Sequence, residues 1–317
     1  MDGLTDFITR CRWSDIITAW YVLVDDANQA LLTEFSGWRT RGAKPRFSDS
    51  EVITIGLIAD TFFAGDESKA LWFVRQYHLD MFPLLPANGQ FNYRRRLLSM
   101  ITEQIRTLIT LSWQLFDPED SYRLTDSAPI PVCTYTRAKQ NKTLCGVGDR
   151  RDYFGVIASK KAKLFGFRLH LSTSTDQVLD SWLLAPASVH DSNLIDGMSL
   201  YEGQPISHLV MLADGAFNNP GALGSLRHKH GQELCVWALP RRDARTPWPA
   251  EFRRVVGRMR RRVETALSVL TTVFNIEQPR SRSLTGLISR VATRMLAYTL
   301  CFIVGPILAL SPSFTQN

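Results

Sequence analysis

Cysteine is sparse in this sequence. There are five in 317 residues, at 11, 133, 145, 235 and 301. The number is odd, the spacings are wide, no Cys-x-x-Cys occurs and no His pair sits at finger spacing, which excludes a zinc finger. The pattern suits free thiols in a reducing cytoplasm. Long apolar runs are also missing. The longest, Met295–Leu310, spans 16 residues, contains Pro306 and follows Arg290 and Arg294. A membrane span needs roughly 20 residues, so this run reads as a buried C-terminal helix. The Met-Asp start lacks the basic-then-apolar order of a signal peptide, and none is expected. Internal repeats and low-complexity segments are absent.

Hydrophobic residues make up 45% and charged residues 21%. That composition supplies a substantial core and excludes a disordered chain. The net charge is +7, and its placement is more informative than its size. Residues 241–262 hold nine Arg and two acids, while the remainder balances at 28 basic and 28 acidic residues. A localised Arg excess points to a polyanionic partner, or else to a solvated helix face.

Periodicity divides the chain near residue 118. Two helices are expected within 1–35. Ser48 stands three residues before Glu51, forming a capping box that starts a helix near Asp49; Gly65-Asp66 ends it, and another helix runs to about His78. Asn88-Gly89 reads as a turn before one long amphipathic helix ending near Phe116. From Tyr122 to Leu239, short apolar runs alternate with turns. Strands are expected at 121–126, 129–135, 153–158, 166–173, 178–185, 207–213 and 233–239, and helices at 191–201 and 219–230. Strands interleaved with helices argue for an α/β domain. A long helix at 250–274 and a last helix at 286–303 follow.

Two carboxylates close strand-like runs: Asp126 after Tyr122–Thr125, and Asp214 after Leu209–Ala213. An unpaired carboxylate is costly in a core. At the carboxyl end of a strand it faces the crevice where α/β sheets place their sites. Glu264 flanks the apolar stripe of the long helix, close to Arg258, Arg260, Arg261 and Arg262. Two Asp and one Glu are hard oxygen donors that suit Mg²⁺ or Mn²⁺. An adjacent Arg cluster suits a phosphodiester backbone. Read alone, an Asp at a strand end is more often a helix cap or a loop residue.

Five segments in order carry a family resemblance: Asp126–Cys133; Lys160-Lys161 followed by Gly166–Leu171; Pro186–Asp191; Leu212–Phe217; and Arg261–Glu264. Together they resemble the DDE transposases of bacterial insertion sequences. Separations of 88 residues from Asp126 to Asp214 and 50 from Asp214 to Glu264 fall within what that family tolerates. The resemblance implies an RNase H-like mixed sheet flanked by helices, preceded by a mostly helical N-terminal region. It also implies two divalent ions, with Asp126 bridging both and Asp214 and Glu264 completing one site each. The implied reaction is metal-dependent hydrolysis at each transposon end, leaving a 3′-hydroxyl that attacks target DNA by transesterification. One departure stands out. Some relatives carry a Tyr–Arg–Glu–Lys signature on the helix, whereas here the corresponding residues are Gly257, Arg260, Glu264 and Thr271.

The expected layout is a helical region over 1–118, with a possible helix-turn-helix near 49–78, a catalytic domain over 119–305, and a tail over 306–317. Lys160 and Lys161, with Lys163, form a basic hairpin read either as a phosphate contact or as a solvated turn. With Arg258, Arg260, Arg261 and Arg262 they make the expected DNA-binding set, and Arg94–Arg96 with Phe91 and Tyr93 are a further possible contact. His190 and Asp191 are candidates for supporting the metal-binding carboxylates, though Asp191 reads equally as a cap for a helix beginning at Ser192. His170 and Trp237 read as structural. Expected partners are transposon-end and target DNA, bound by a homodimer in the cytoplasm at the nucleoid. Two alternatives stay open: a metal-dependent nuclease on the same fold, and a non-catalytic DNA-binding repressor.

Overall fold

The computed structural model describes residues 13–34, 45–142, 144, 147–157, 162–193, 209–218, 221, 223–224, 234–240 and 248–308. In chain order these form α1 (Trp13–Glu34), α2 (Asp49–Phe62), α3 (Glu67–Tyr77), α4 (Asn88–Leu97), α5 (Ser99–Ser112), β1 (Tyr122–Pro131), β2 (Phe154–Ile157), β3 (Ala162–Thr173), β4 (Leu179–Pro186), β5 (Leu209–Ala213), β6 (Leu234–Ala238), α6 (Ala250–Thr272) and α7 (Leu284–Ile307). Two compact units divide the chain: Met1–Leu115 together with Thr272–Asn317, and Phe116–Thr271.

The first unit is helical. Its capping box forms as expected: the Glu51 amide donates to the Ser48 hydroxyl at 3.1 Å, and the Ser48 amide donates to the Glu51 carboxylate at 2.5 Å. Gly65, at φ +82°, turns the chain between α2 and α3, a conformation that costs glycine nothing. The expected long helix is two, α4 and α5, which meet at Leu98, and Asn88 opens α4 instead of forming a turn. α7 is long and apolar enough to cross a membrane, but 83% of its apolar window is buried inside the protein. It packs against α1, α2, α4 and α5. The expected domain boundary kept this helix with the sheet. Its residues are apolar on nearly every side, so it is buried among other helices.

Within that unit, Asp60 is fully buried and faces three guanidiniums. Arg95 forms an ion pair with it, while Arg290 and Arg294 each lie 3.7 Å away. Glu67 pairs with Arg95 and Arg290, both at 3.0 Å. Charges this deep are tolerated only when paired.

The second unit is built on one mixed sheet in the order β2-β3-β1-β5-β6, with β4 on β3. β1, β5 and β6 run parallel, whereas β3 is antiparallel to β1, β2 and β4. This is the expected α/β architecture, a mixed sheet with α6 in the same unit. The strands expected at 121–126 and 129–135 are one continuous strand, β1, with Asp126 inside it. Pro129 and Pro131 do not break it, because β5 pairs with β1 only through Leu124. Beyond that point no described strand pairs with this edge of β1, and a missing N–H there costs no ladder bond. β3 changes partners at Gly166, which sits at φ +156° opposite Pro131. A Cβ there would strike the Ile130 carbonyl.

Candidate active site

The parallel register aligns Tyr122, Arg123 and Leu124 of β1 with Val210, Met211 and Leu212 of β5. Continued two residues further, it brings Asp126 level with Asp214. Adjacent strands lie roughly 4.8 Å apart, so the two carboxylates are neighbours. Asp214 stands just past the end of β5 and caps the short turn Gly215–Phe217, its side chain accepting from the Gly215 amide at 2.5 Å. Buried Phe217 anchors that turn in a small core with Met211, Ala213 and Ala238. Its ring also meets the His170 imidazole edge-on, at 6.3 Å between centroids.

α6 closes the site. Val256, Val263, Ala266, Leu267 and Leu270 form its buried face, and the rings of Phe252 and Trp237, 5.3 Å apart, tie it to β6. Arg260 is buried within this helix, and its guanidinium lies 3.5 Å from Asp126 and 4.0 Å from Asp214. Glu264 follows one turn later on the same face. Asp126 is pushed up to about 6, first by burial and then by the charges of Asp214 and Glu264. The Ser127 amide and Arg260 pull the other way. The charges of both other acids of the expected trio are therefore felt at Asp126.

Of the expected DNA-contacting residues, Arg258, Arg261 and Arg262 are exposed. Arg262 donates to the Thr175 carbonyl at 2.7 Å and lies 3.6 Å from Asp176. The reading of Arg260 changes: it is spent on the carboxylates and does not point to solvent. Lys160 and Lys161 lie outside the described residues, as do most of the helices expected at 191–201 and 219–230. At the position where some relatives carry Tyr, Gly257 leaves open space: a Cβ there would meet nothing within 4 Å.

Asp191 is more than a cap. At the short turn Asp191–Asn193 it is the His190 ring, through Nδ1, that accepts from the Ser192 amide, at 3.3 Å. The Asp191 carboxylate instead accepts from the Ser127 hydroxyl at 3.3 Å and from the Arg168 guanidinium at 3.3 and 3.4 Å. The Nε2 of fully buried His170 lies 3.6 Å away. Burial holds His170 well below the ordinary imidazole range; Asp191 opposes that shift and Arg168 adds to it. Asp191 is thus tied to the residue next to Asp126. His190 is exposed, and among the described residues its Nδ1 meets the Ser192 hydroxyl and amide. The signal that could have exposed this network is Arg168, a lone cation inside the apolar run Leu164–Leu171, which demands a buried partner.

The donor set suits a hard divalent cation: three carboxylates, one of them, Asp126, raised chiefly by burial and further by the charges of the other two. A positive group already lies against two of them in the form of Arg260. Among the described residues no three acidic, His or Cys side chains close on a single point as metal ligands, so the fit is one of donor type and charge. No curated protein and no solved structure matches the chain. Residues 117–300 match the model of the transposase DDE domain, which spans β1 to α7 and includes Asp126, Asp214 and Glu264, and the chain belongs to that family.

Proposed function

We propose that this protein is a DNA transposase of an insertion sequence, which cuts transposon ends by hydrolysis and joins the freed 3′-hydroxyl to target DNA. The observation that carries this reading is that Asp126 on β1 and Asp214 just past the end of the adjacent parallel β5 are both approached by Arg260, with the Glu264 charge felt at Asp126. Asp126, Asp214 and Glu264 would hold Mg²⁺ or Mn²⁺, in a pair if both ions bind. Such ions activate the attacking oxygen and stabilise the leaving oxygen of an in-line displacement. The chain's own residues do the rest. β1 and β5 fix the two Asp side chains at one level. Arg260 offsets their repulsion and orients them. The Ser127 amide holds one Asp126 oxygen at 2.8 Å. Exposed Arg258 and Arg261 supply positive charge for the phosphate backbone.

The partners on this reading are transposon-end and target DNA, bound by a homodimer that pairs two ends in the cytoplasm at the nucleoid. The test is cleavage and joining of the terminal-repeat DNA that flanks the gene, with Mg²⁺ or Mn²⁺. Asp126→Asn, Asp214→Asn and Glu264→Gln should each bind that DNA and lose both reactions. Cutting without joining in the wild type would leave a nuclease. Activity equal to wild type in all three variants would make the carboxylates structural.

A further inference from the structure

A second basic surface, distinct from α6, lies on the chain between β1 and β3. After Pro131 the backbone makes a two-turn 3-10 helix at Tyr135–Gln140 and a shorter one at Arg150–Tyr153. Apolar side chains fix both. Ala138, Leu144 and Tyr153 are buried, Tyr153 packs edge-on against Phe167 at 5.1 Å, and Phe154 meets Phe165 at 4.8 Å. Arg150 is used internally: it donates to the Asn141 carbonyl at 3.0 Å and lies over the Phe165 ring at 5.4 Å.

What remains faces solvent. Arg137, Lys139, Lys142, Arg151 and Lys163 are all exposed. None of the five forms a salt bridge among the described residues. Lys163 is held over the exposed Tyr135 ring at 5.2 Å, which places the β3 cation beside the first 3-10 helix. The acids in this stretch are Asp149 and Asp152, and the Asp149 carboxylate already accepts from the Arg151 amide at 2.9 Å. The described residues therefore present five exposed cations against two acids on a packed apolar base. An arrangement with so few countercharges suits a polyanion.

Its position suggests which part of the polyanion. β1 is one uninterrupted strand from Asp126 to Pro131, so five residues carry the chain about 17 Å from the carboxylates to the start of this lobe. At 3.4 Å per nucleotide along a duplex, that is roughly five base pairs. We propose that Arg137, Lys139, Lys142, Arg151 and Lys163 form a phosphate-contacting surface that grips DNA about half a helical turn from the cutting site, without reading its sequence. The proposal rests on the reading of the protein as a DNA enzyme and adds a contact surface to it.

The test is equilibrium binding of full-length protein to labelled duplexes of several unrelated sequences across a salt series. The proteins compared are wild type, the triple variant Arg137→Gln/Lys139→Gln/Lys142→Gln, Lys163→Gln alone, and Arg258→Gln/Arg261→Gln on α6. Each lost phosphate contact lowers the slope of log affinity against log salt by about 0.9. The triple variant should thus lose between two and three in slope, and Lys163→Gln about one, with the same affinity loss on every sequence. All these side chains are exposed, and unchanged thermal midpoints will show the variants folded. If wild type binds and only the α6 variant changes slope, the lobe does not touch DNA and the proposal fails. If wild type binds no duplex at all, the DNA-enzyme reading falls, and this proposal with it.

Discussion

The Arg260 guanidinium bridges two strands' worth of negative charge, 3.5 Å from Asp126 and 4.0 Å from Asp214. It comes from a helix whose other buried residues are apolar, and its side chain is 11% exposed. Without a bound cation it is the principal countercharge for the trio. Arg260→Gln should therefore destabilise the metal-free protein by roughly 1–3 kcal/mol at pH 8, as expected when a largely buried charge partner is removed. The loss should shrink at pH 5, where Asp126 is mostly protonated. Urea unfolding at both pH values measures this, and an equal loss at each would show that Arg260 contributes packing alone.

The raised Asp126 carboxyl makes stability depend on pH in a definite direction. Its ordinary value is 3.8 and its folded value about 6, so the folded state holds a proton more tightly than the unfolded state. Stability is fully present below about 4 and is lost as pH rises through about 6. At roughly 1.4 kcal/mol per unit, the change amounts to about 3 kcal/mol. Asp126→Asn should flatten this dependence and be more stable than wild type at pH 8 without metal. Adding Mg²⁺ should raise the wild-type midpoint at pH 8 by more than at pH 5, because the cation binds the ionised form. Thermal melts over pH 4–9 with and without Mg²⁺ decide it. A Mg²⁺ effect independent of pH and undiminished in Asp126→Asn would place the ion elsewhere.

The three carboxylates were legible because each follows or flanks an apolar run, a signal that depends only on local order. The long helix was legible for the same reason, and so was its apolar stripe, which is buried at Val256, Val263, Ala266, Leu267 and Leu270. The role of Arg260 was not. An Arg run on a helix looks the same whether a given guanidinium faces solvent or a carboxylate, and only the phase of α6 against the sheet separates them. Asp191 was half legible, since its cap-like context before Ser192 competes with a partnership to Arg168 that lies 23 residues away in sequence. The continuity of β1 through two prolines, and the packing of α7 with the first helices, depend on which strand edges are open and which helices neighbour one another. Those are tertiary facts.

Asp191 offers a separable prediction. Asp191→Ala leaves the Arg168 guanidinium without its carboxylate and the Ser127 hydroxyl without an acceptor, with His170 buried beside them. A cost of about 2–4 kcal/mol is expected from stranding a mostly buried charge. Asp191→Asn keeps an acceptor for Ser127 and Arg168 and should cost about half as much. If Asp191 positions the strand segment bearing Asp126, both variants should also weaken Mg²⁺-dependent stabilisation, in the same order. Denaturant midpoints with and without Mg²⁺ supply both readings. Lowered stability with an unaltered response to Mg²⁺ would confine Asp191 to packing.

In the helical unit, Asp60 holds three guanidiniums whose only other carboxylate partner among the described residues is Glu67. Burial pulls Arg290 and Arg294 below the ordinary guanidinium range; for Arg294 the value is about 10, and Asp60 opposes the shift in both. Asp60→Asn preserves shape but removes the charge, leaving like charges facing one another in a dry interior. Breaking a buried network in this way costs about 3–5 kcal/mol, which approaches the total stability of a small unit. Replacing Asp60 together with Arg294, as Asp60→Leu/Arg294→Met, should cost less than Asp60→Asn alone, since no charge is then added to those left unpaired. Urea titration of the two variants tests the ordering. If the double variant is the less stable, the cluster works through its hydrogen bonds to backbone carbonyls, such as Arg294 to Asn275 at 2.8 Å and Arg290 to Gly65 at 2.5 Å, more than through charge balance.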